Sequence, residues 1–194
     1  MFEIIKFGLF EKKLNAFASD NFNDTKKSHL NTKQLLQTIA YCDSSETTLF
    51  DSQGNEQKSK IIEKGYFAGK DIKSYLLKEN WFINSYSGKL EKKIIGIAPL
   101  ILNKKTEKNM PLFWLYFNEW QDLFDMFEAK NYVSESIITY KDVFINNYFI
   151  SKISKENNLN DKAVNSANKG KDNFLESELI KEKINNQEAD LFQY

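Results

Sequence analysis

Trp81-Phe82-Ile83-Asn84-Ser85-Tyr86, then Leu90-Glu91-Lys92-Lys93-Ile94-Ile95-Gly96-Ile97-Ala98-Pro99-Leu100-Ile101-Leu102, then Pro111-Leu112-Phe113-Trp114-Leu115-Tyr116-Phe117 follow one another in 81–117. All are rich in aromatic and β-branched residues, which favour a pleated and packed surface. Ser87-Gly88-Lys89 separates the first two with turn chemistry, and the polar stretch 103–109 separates the second from the third. Short apolar runs bounded in this way read as consecutive strands of an antiparallel meander. The middle run is polar first and then continuously apolar, as a buried strand is. Pro111 is placed at a strand start, where a missing N–H is tolerated.

Working outward, the periodicity changes from two to about 3.6. Phe2, Ile5 and Leu9 predict a short helix ending near residues 8–11, and Leu14-Asn15-Ala16-Phe17-Ala18 alternates as a short strand. Residues 19–28 read as polar loop. Asn31 or Thr32 can cap a helix running to about Tyr41, with Leu35, Leu36 and Ile39 inward. Residues 42–60 are dense in Ser, Thr, Asp, Gln and Gly and read as a surface connection, followed by Ile61 and Ile62 before Gly65-Tyr66-Phe67. Asp71 has the form of an N-cap for a helix over 72–79, with Tyr75, Leu76 and Leu77 on its buried face. After the meander, Asn118 or Glu119 opens a helix through Trp120, Leu123, Phe124 and Phe127. Thr139 caps another carrying Val143, Phe144, Tyr148 and Ile150. Residues 157–171 are low in hydrophobicity and predict a flexible linker, and 173–192 predict a last helix with Phe174, Leu175, Leu179, Ile180 and Ile184. The expected fold is therefore α+β: an antiparallel sheet of three or more strands packed with helices, with a C-terminal helix beyond a linker. The expected organisation is a globular core over 1–155, a linker over 156–172 and a C-terminal helix and tail over 173–194.

Composition bounds the function. Lys+Arg and Asp+Glu are both 27, so the formal net charge is zero, which argues against nucleic acid as the main partner. Every basic residue is a lysine, which removes the side chain best suited to bidentate phosphate or carboxylate recognition. The 16 Phe and 9 Tyr suffice for a core and leave rings over for contacts with partners. No stretch approaches the ~20 apolar residues of a membrane span. Met1-Phe2-Glu3 opens directly on apolar-periodic sequence with no visible signal peptide, so the chain is expected to start inside a larger gene product.

The inventory for chemistry is thin. With one Cys, Cys42, and one His, His29, no intramolecular disulfide and none of the usual zinc sets can be built within a single chain. His29 lies in the polar stretch Lys26-Lys27-Ser28-His29 and reads as a solvated loop residue; Cys42 follows an apolar helix face and reads as a half-buried structural thiol. Glu176, Glu178 and Glu182 are interleaved with Lys181 and Lys183, as on a solvated helix face. Asp20-Asn21-Phe22-Asn23-Asp24 resembles a calcium loop only loosely, because its twelfth position is Asn31 rather than Glu. The glycines form neither GxGxxG nor GxxxxGK[ST]. No catalytic residue, metal or cofactor is expected. The rings of Phe113, Trp114, Tyr116, Phe117 and Trp120 are expected to serve core or interface packing, the alternative being a carbohydrate- or peptide-binding module built on them.

As a whole the chain resembles the GldN/PorN family. The passage Asp71-Ile72-Lys73-Ser74-Tyr75-Leu76-Leu77-Lys78-Glu79-Asn80-Trp81-Phe82 is similar to that family's helix-to-strand passage, and Lys93-Ile94-Ile95-Gly96-Ile97-Ala98-Pro99-Leu100 to its IIGIAPL-like strand. Pro111-Leu112-Phe113-Trp114-Leu115-Tyr116-Phe117, the early Phe2-Glu3-Ile4-Ile5-Lys6-Phe7-Gly8-Leu9-Phe10 and the tail Leu175-Glu176-Ser177-Glu178 through Asp190-Leu191-Phe192 match in the same order. Two departures stand out: no signal peptide is seen, and the tail reads Gln187-Glu188-Ala189-Asp190 where a more aromatic or His-bearing sequence is expected. The resemblance implies a non-enzymatic ring subunit of the type IX secretion and gliding machinery, periplasmic and peripheral to the outer membrane. The partners it implies are a GldK/PorK-like outer-membrane lipoprotein and a GldM/PorM-like motor protein. Phe174, Leu175, Leu179, Ile180, Leu191, Phe192 and Tyr194 are expected to contact a partner or another subunit, since their apolar face must be buried somewhere, the alternative being that this helix packs on the chain's own sheet.

Overall fold

The computed structural model describes residues 1–18, 29–50, 56–104, 106–130 and 137–154, together with 178–180, 182 and 186. The chain is α+β with antiparallel sheets. It divides into two compact units, Met1–Lys78 with Ile94–Lys141, and Glu79–Lys93 with Asp142–Tyr194.

The first unit is organised around β4 (Leu90–Asn103). β3 (Ile72–Ile83) is its neighbour on one side; β5 (Lys108–Pro111) and β6 (Leu115–Tyr116) share the other. The expected meander is present, and no helix interrupts 94–102. From Gly96 to Pro99 every residue of β4 is buried, so both faces of this central strand are covered. A proline in such a strand needs a reason, because it cannot donate to the ladder. The register supplies it. Leu100 pairs with Pro111, and Ile97 pairs with Leu115. Ala98 and Pro99 thus lie opposite Leu112, Phe113 and Trp114, one residue more than themselves, which is a β-bulge. Leu112 N–H donates to the Pro99 carbonyl (3.0 Å), while Trp114 exchanges both backbone hydrogen bonds with Phe17 (2.9 and 3.0 Å). The bulge therefore sits where β4 lacks an N–H, and it turns Trp114 toward the N-terminal segment. Phe17 also bridges to His29. Phe17, Ala98 and Trp114 form one buried cluster, with Leu76 and Tyr116 packed against it. Pro111 ends β5 rather than opening a strand.

α1 (Phe2–Phe10) and α3 (Phe117–Asp125) carry the expected apolar faces: Phe2, Ile5, Gly8 and Leu9 are buried on one, Phe117, Trp120, Leu123 and Phe124 on the other. The helices meet at Gly8, where a Cβ atom would stand 2.5 Å from Trp120 Cζ3 and 2.6 Å from Leu123 Cδ2. Trp120 Nε1 donates to the Asn15 carbonyl (3.0 Å), which satisfies its polar tip in the core. α2 (Thr32–Ile39) is capped by Asn31, whose side chain accepts from Gln34 N–H while the Gln34 side chain accepts from Asn31 N–H (both 2.9 Å). Leu35 and Ile39 are buried, but Leu36, expected inward, is exposed.

Two sequence expectations are overturned. The helix expected over 72–79 is the first half of β3. Its half-buried residues include Ile72, Tyr75, Leu76 and Glu79, a spacing that imitates one face of a helix, yet the segment is held extended as the neighbour of β4. Asp71 is not an N-cap either: its carboxylate accepts from Ala68 N–H (2.8 Å) and closes a 3-10 turn over Gly69–Asp71. The second correction concerns 42–60. What reads as a surface connection is most of a hairpin, β1 (Ala40–Phe50) with β2 (Glu56–Tyr66), paired without interruption from Ala40↔Tyr66 to Phe50↔Glu56. Its polarity accompanies strands that no layer covers among the described residues, not the lack of a strand.

In the second unit, Asn84 organises the β3–β4 turn. Its side chain accepts from Tyr86 N–H (2.9 Å) and Ser87 N–H (3.3 Å), its carbonyl accepts from Gly88 N–H (2.7 Å), and Gly88 takes φ 65°. β7 (Glu128–Ala129) and β8 (Ile138–Thr139) belong to the first unit; α4 (Tyr140–Ile145) follows them in the chain and stops short of Tyr148 and Ile150, both of which are exposed. Residues 178–180, 182 and 186 are helical, as expected of the C-terminal helix. The linker expectation at 157–171, the loop at 19–28, and Phe174, Leu175, Leu191, Phe192 and Tyr194 lie outside the described residues.

Candidate interaction surfaces

Among the described residues the chemistry-bearing side chains do not converge. His29 is half-buried, its ring edge-on to Phe17 at 4.5 Å between centroids, and so belongs to the core rather than to a solvated loop. Cys42 is exposed on β1 rather than half-buried behind α2. Among the described residues no group of three or more His, Cys, Asp and Glu side chains could hold a metal ion, and no helix is long and apolar enough to cross a membrane. The aromatic segment is spent on the core: Phe113 and Trp120 are fully buried and Trp114 and Phe117 nearly so, which leaves no ring platform for sugars or peptides there.

The most distinctive surface of the first unit is the β1–β2 arm. Eleven residues a side at about 3.3 Å each make a ribbon roughly 35 Å long. Its root is fixed: Phe67 N–H donates to the Ile39 carbonyl (2.9 Å), and the Tyr41 ring lies over Gly65 directly across the ladder. One face carries Tyr41, Asp43, Ser45 and Thr47, with Gly65, Glu63 and Ile61 opposite the first three; Asp43 on this face pairs with Lys104 of the β4–β5 connection. Hydrogen bonding to Asp43, with the field of the same carboxylate behind it, raises the Lys104 pKa above its ordinary value. The other face carries Cys42, Ser44, Glu46 and Thr48 opposite Lys64, Ile62, Lys60 and Lys58. Ile61 and Ile62, mid-strand and on opposite faces, are 46% and 56% exposed. At the foot of the arm Leu36, Gln37, Ala40 and Tyr66 line a shallow concavity.

The second unit has its own exposed rings. Trp81, Phe82, Ile83 and the fully exposed Tyr86 cluster about the end of the β3–β4 hairpin. Lys92 is held 5.5 Å from the centre of the Trp81 ring and 5.8 Å from that of Phe149, with Glu79 at 3.3 Å. Of the tail residues proposed from sequence, Leu179 is exposed and Ile180 half-buried. Sequence reasoning missed the arm; the signal present was the Thr, Ser and Tyr content of β1 and the β-branched pair in β2.

The described surfaces define an α+β protein with a bare two-stranded arm and clustered exposed rings. The chain matches the sequence model of the family described as "Gliding motility associated protein GldN" over residues 1–193, and it belongs to that family. It is thus a gliding motility associated protein. No curated protein matches it.

Proposed function

We propose that this chain is a non-enzymatic structural subunit of a periplasmic ring complex, peripheral to the outer membrane, that serves type IX protein secretion and gliding motility. Its partners in this reading are a GldK/PorK-like outer-membrane lipoprotein and a GldM/PorM-like motor protein. The observation that carries the reading is the family match over 1–193, and the exposed arm agrees with it. A ring subunit needs two different patches that meet their neighbours, and long surfaces left exposed among the described residues suit that need. The tail, through Phe174, Leu175, Leu179, Ile180, Leu191, Phe192 and Tyr194, is proposed as a further partner contact.

The test is capture of a GldK/PorK-like lipoprotein ectodomain by the purified chain, with a copy truncated after Asn185 alongside. The ring reading expects capture by the full chain, and the tail contact expects loss by a truncated protein whose melt is unchanged. No capture by the folded full chain sinks the first; full capture by the truncated one sinks the second.

A further inference from the structure

A two-stranded ribbon turns alternate N–H and C=O groups of each strand outward. Here both outer edges run for eleven residues, and among the described residues no third strand pairs with either. Proteins ordinarily blunt such edges with short strands, bulges, prolines or lysines. The arm has no proline and no bulge, since the register is unbroken over its whole length. Lysines are present, but only on one side. β1 carries Asp43 and Glu46 and no basic residue, whereas β2 carries Lys58, Lys60 and Lys64 against Glu56 and Glu63.

That asymmetry favours one pairing over the others, although the hairpin itself sets Asp43 opposite Glu63. Placing β2 beside β2 sets lysine against lysine, and β1 beside β1 sets acid against acid; like charges across a ladder are unfavourable. Only β1 beside β2 brings opposite net charge together. The geometry agrees. Copies set side by side with their arms pointing the same way put β1 of one next to β2 of the next, running antiparallel as inside the hairpin itself. Ile61 and Ile62 then gain cross-strand neighbours.

We propose that the arm joins copies of this chain head to tail, the β1 edge of each receiving the β2 edge of the next. The contact is heterologous, so it repeats, and it makes a ring where the rotation closes and a filament where it does not. The proposal deepens the ring-subunit reading and rests on it only for closure.

Two variants test it. Ser44→Lys/Ser45→Lys/Thr47→Lys turns β1 basic, and Ile61→Glu/Ile62→Glu turns β2 acidic. All five positions are paired with Ser or Ile, so no introduced charge stands directly opposite a like one, and circular dichroism of each variant checks that its arm still forms. Sedimentation velocity should show the wild-type chain associating at about 0.1 mM, and each variant alone with its association weakened at least ~10-fold. The 1:1 mixture has complementary edges at both junctions and should associate again, which mere damage to the fold cannot produce. A second measurement needs no variant: amide exchange along β1 and β2 should slow as wild-type concentration rises. A monomeric wild type with concentration-independent exchange overturns the proposal, as does covering of the edges by another segment of the same chain. Variants that associate like wild type, or a folded mixture that stays monomeric, also overturn it. Lipoprotein capture by a chain that stays monomeric sinks the arm contact alone; self-association without capture sinks the ring reading alone.

Discussion

β4 and the β1–β2 arm are both long antiparallel structures, and they have opposite textures. β4 is walled on both faces from Gly96 to Pro99 and is almost wholly apolar there. The arm has no described layer on either face and reads Ala-Tyr-Cys-Asp-Ser-Ser-Glu-Thr-Thr on one strand. Apolar runs therefore report burial, and strand formation in the arm is carried by backbone pairing and local propensity. The β4 region should answer to volume, the arm to edge chemistry.

The largest expected effect is in the core. Trp120→Ala should cost about 3–5 kcal/mol in denaturant unfolding, since a fully buried ring and its hydrogen bond to Asn15 are lost together. Ile62→Ala on the arm should stay within about 0.5 kcal/mol. A larger loss in the arm would mean that the ribbon is part of the cooperative core, and the contrast would collapse. Next comes Gly8→Ala. Alanine is the better helix former, but its methyl group meets Trp120 and Leu123 in the α1–α3 contact, so melting should fall by the equivalent of about 1–3 kcal/mol. Asn31→Ala tests the joint between the regions, because α2 runs directly into β1. Loss of the reciprocal cap should cost about 1 kcal/mol and leave amide exchange in the distal arm unchanged.

The smallest effects are those of pH. Burial pushes the Tyr75 hydroxyl well above its ordinary 10.0, with Tyr140 and Glu3 adding to the shift. A raised value means that the folded state resists ionisation. Tyr75 therefore leaves stability intact below pH 10 and erodes it as pH rises further; Tyr75→Phe should flatten that alkaline limb of the melting curve. Glu3 has the opposite sign. Hydrogen bonding to Lys6, at 2.7 Å, and to Gly69 N–H holds its carboxyl below the ordinary 4.5. Its contribution is present above 4.5 and lost as pH falls below it. Because the side chain is mostly exposed, Glu3→Gln should shift the acid limb by well under ~1 kcal/mol.

The sequence carried the meander, α1, α2 and α3, because those segments bury one face or both and their periodicity shows it. It did not carry the first half of β3, where half-buried residues that include Ile72, Tyr75, Leu76 and Glu79 fall at helical spacing while β4 holds the backbone extended. It did not carry the arm, because strands whose described side chains are mostly exposed on both faces have no apolar pattern to read. The bulge was hidden for another reason: Pro99 looks the same in a buried strand as in a loop until its partner strand is known. The longest exposed ribbon of the first unit was mistaken for a connection.

The stitching of the N-terminal segment has a kinetic consequence. Asn15 and Trp120 stand 105 positions apart in the chain, and the Phe17–Trp114 pairing spans nearly as far. The arm, by contrast, closes on itself locally, and hairpins form in about 1–10 μs. A contact of high sequence separation must first overcome the entropy of closing a long loop, so such pairings set the slow step of folding. A nascent chain can therefore complete its arm well before residue 114 has been added. Its N-terminal helix must wait for α3, and during that interval the arm is finished while the core it grows from is still open.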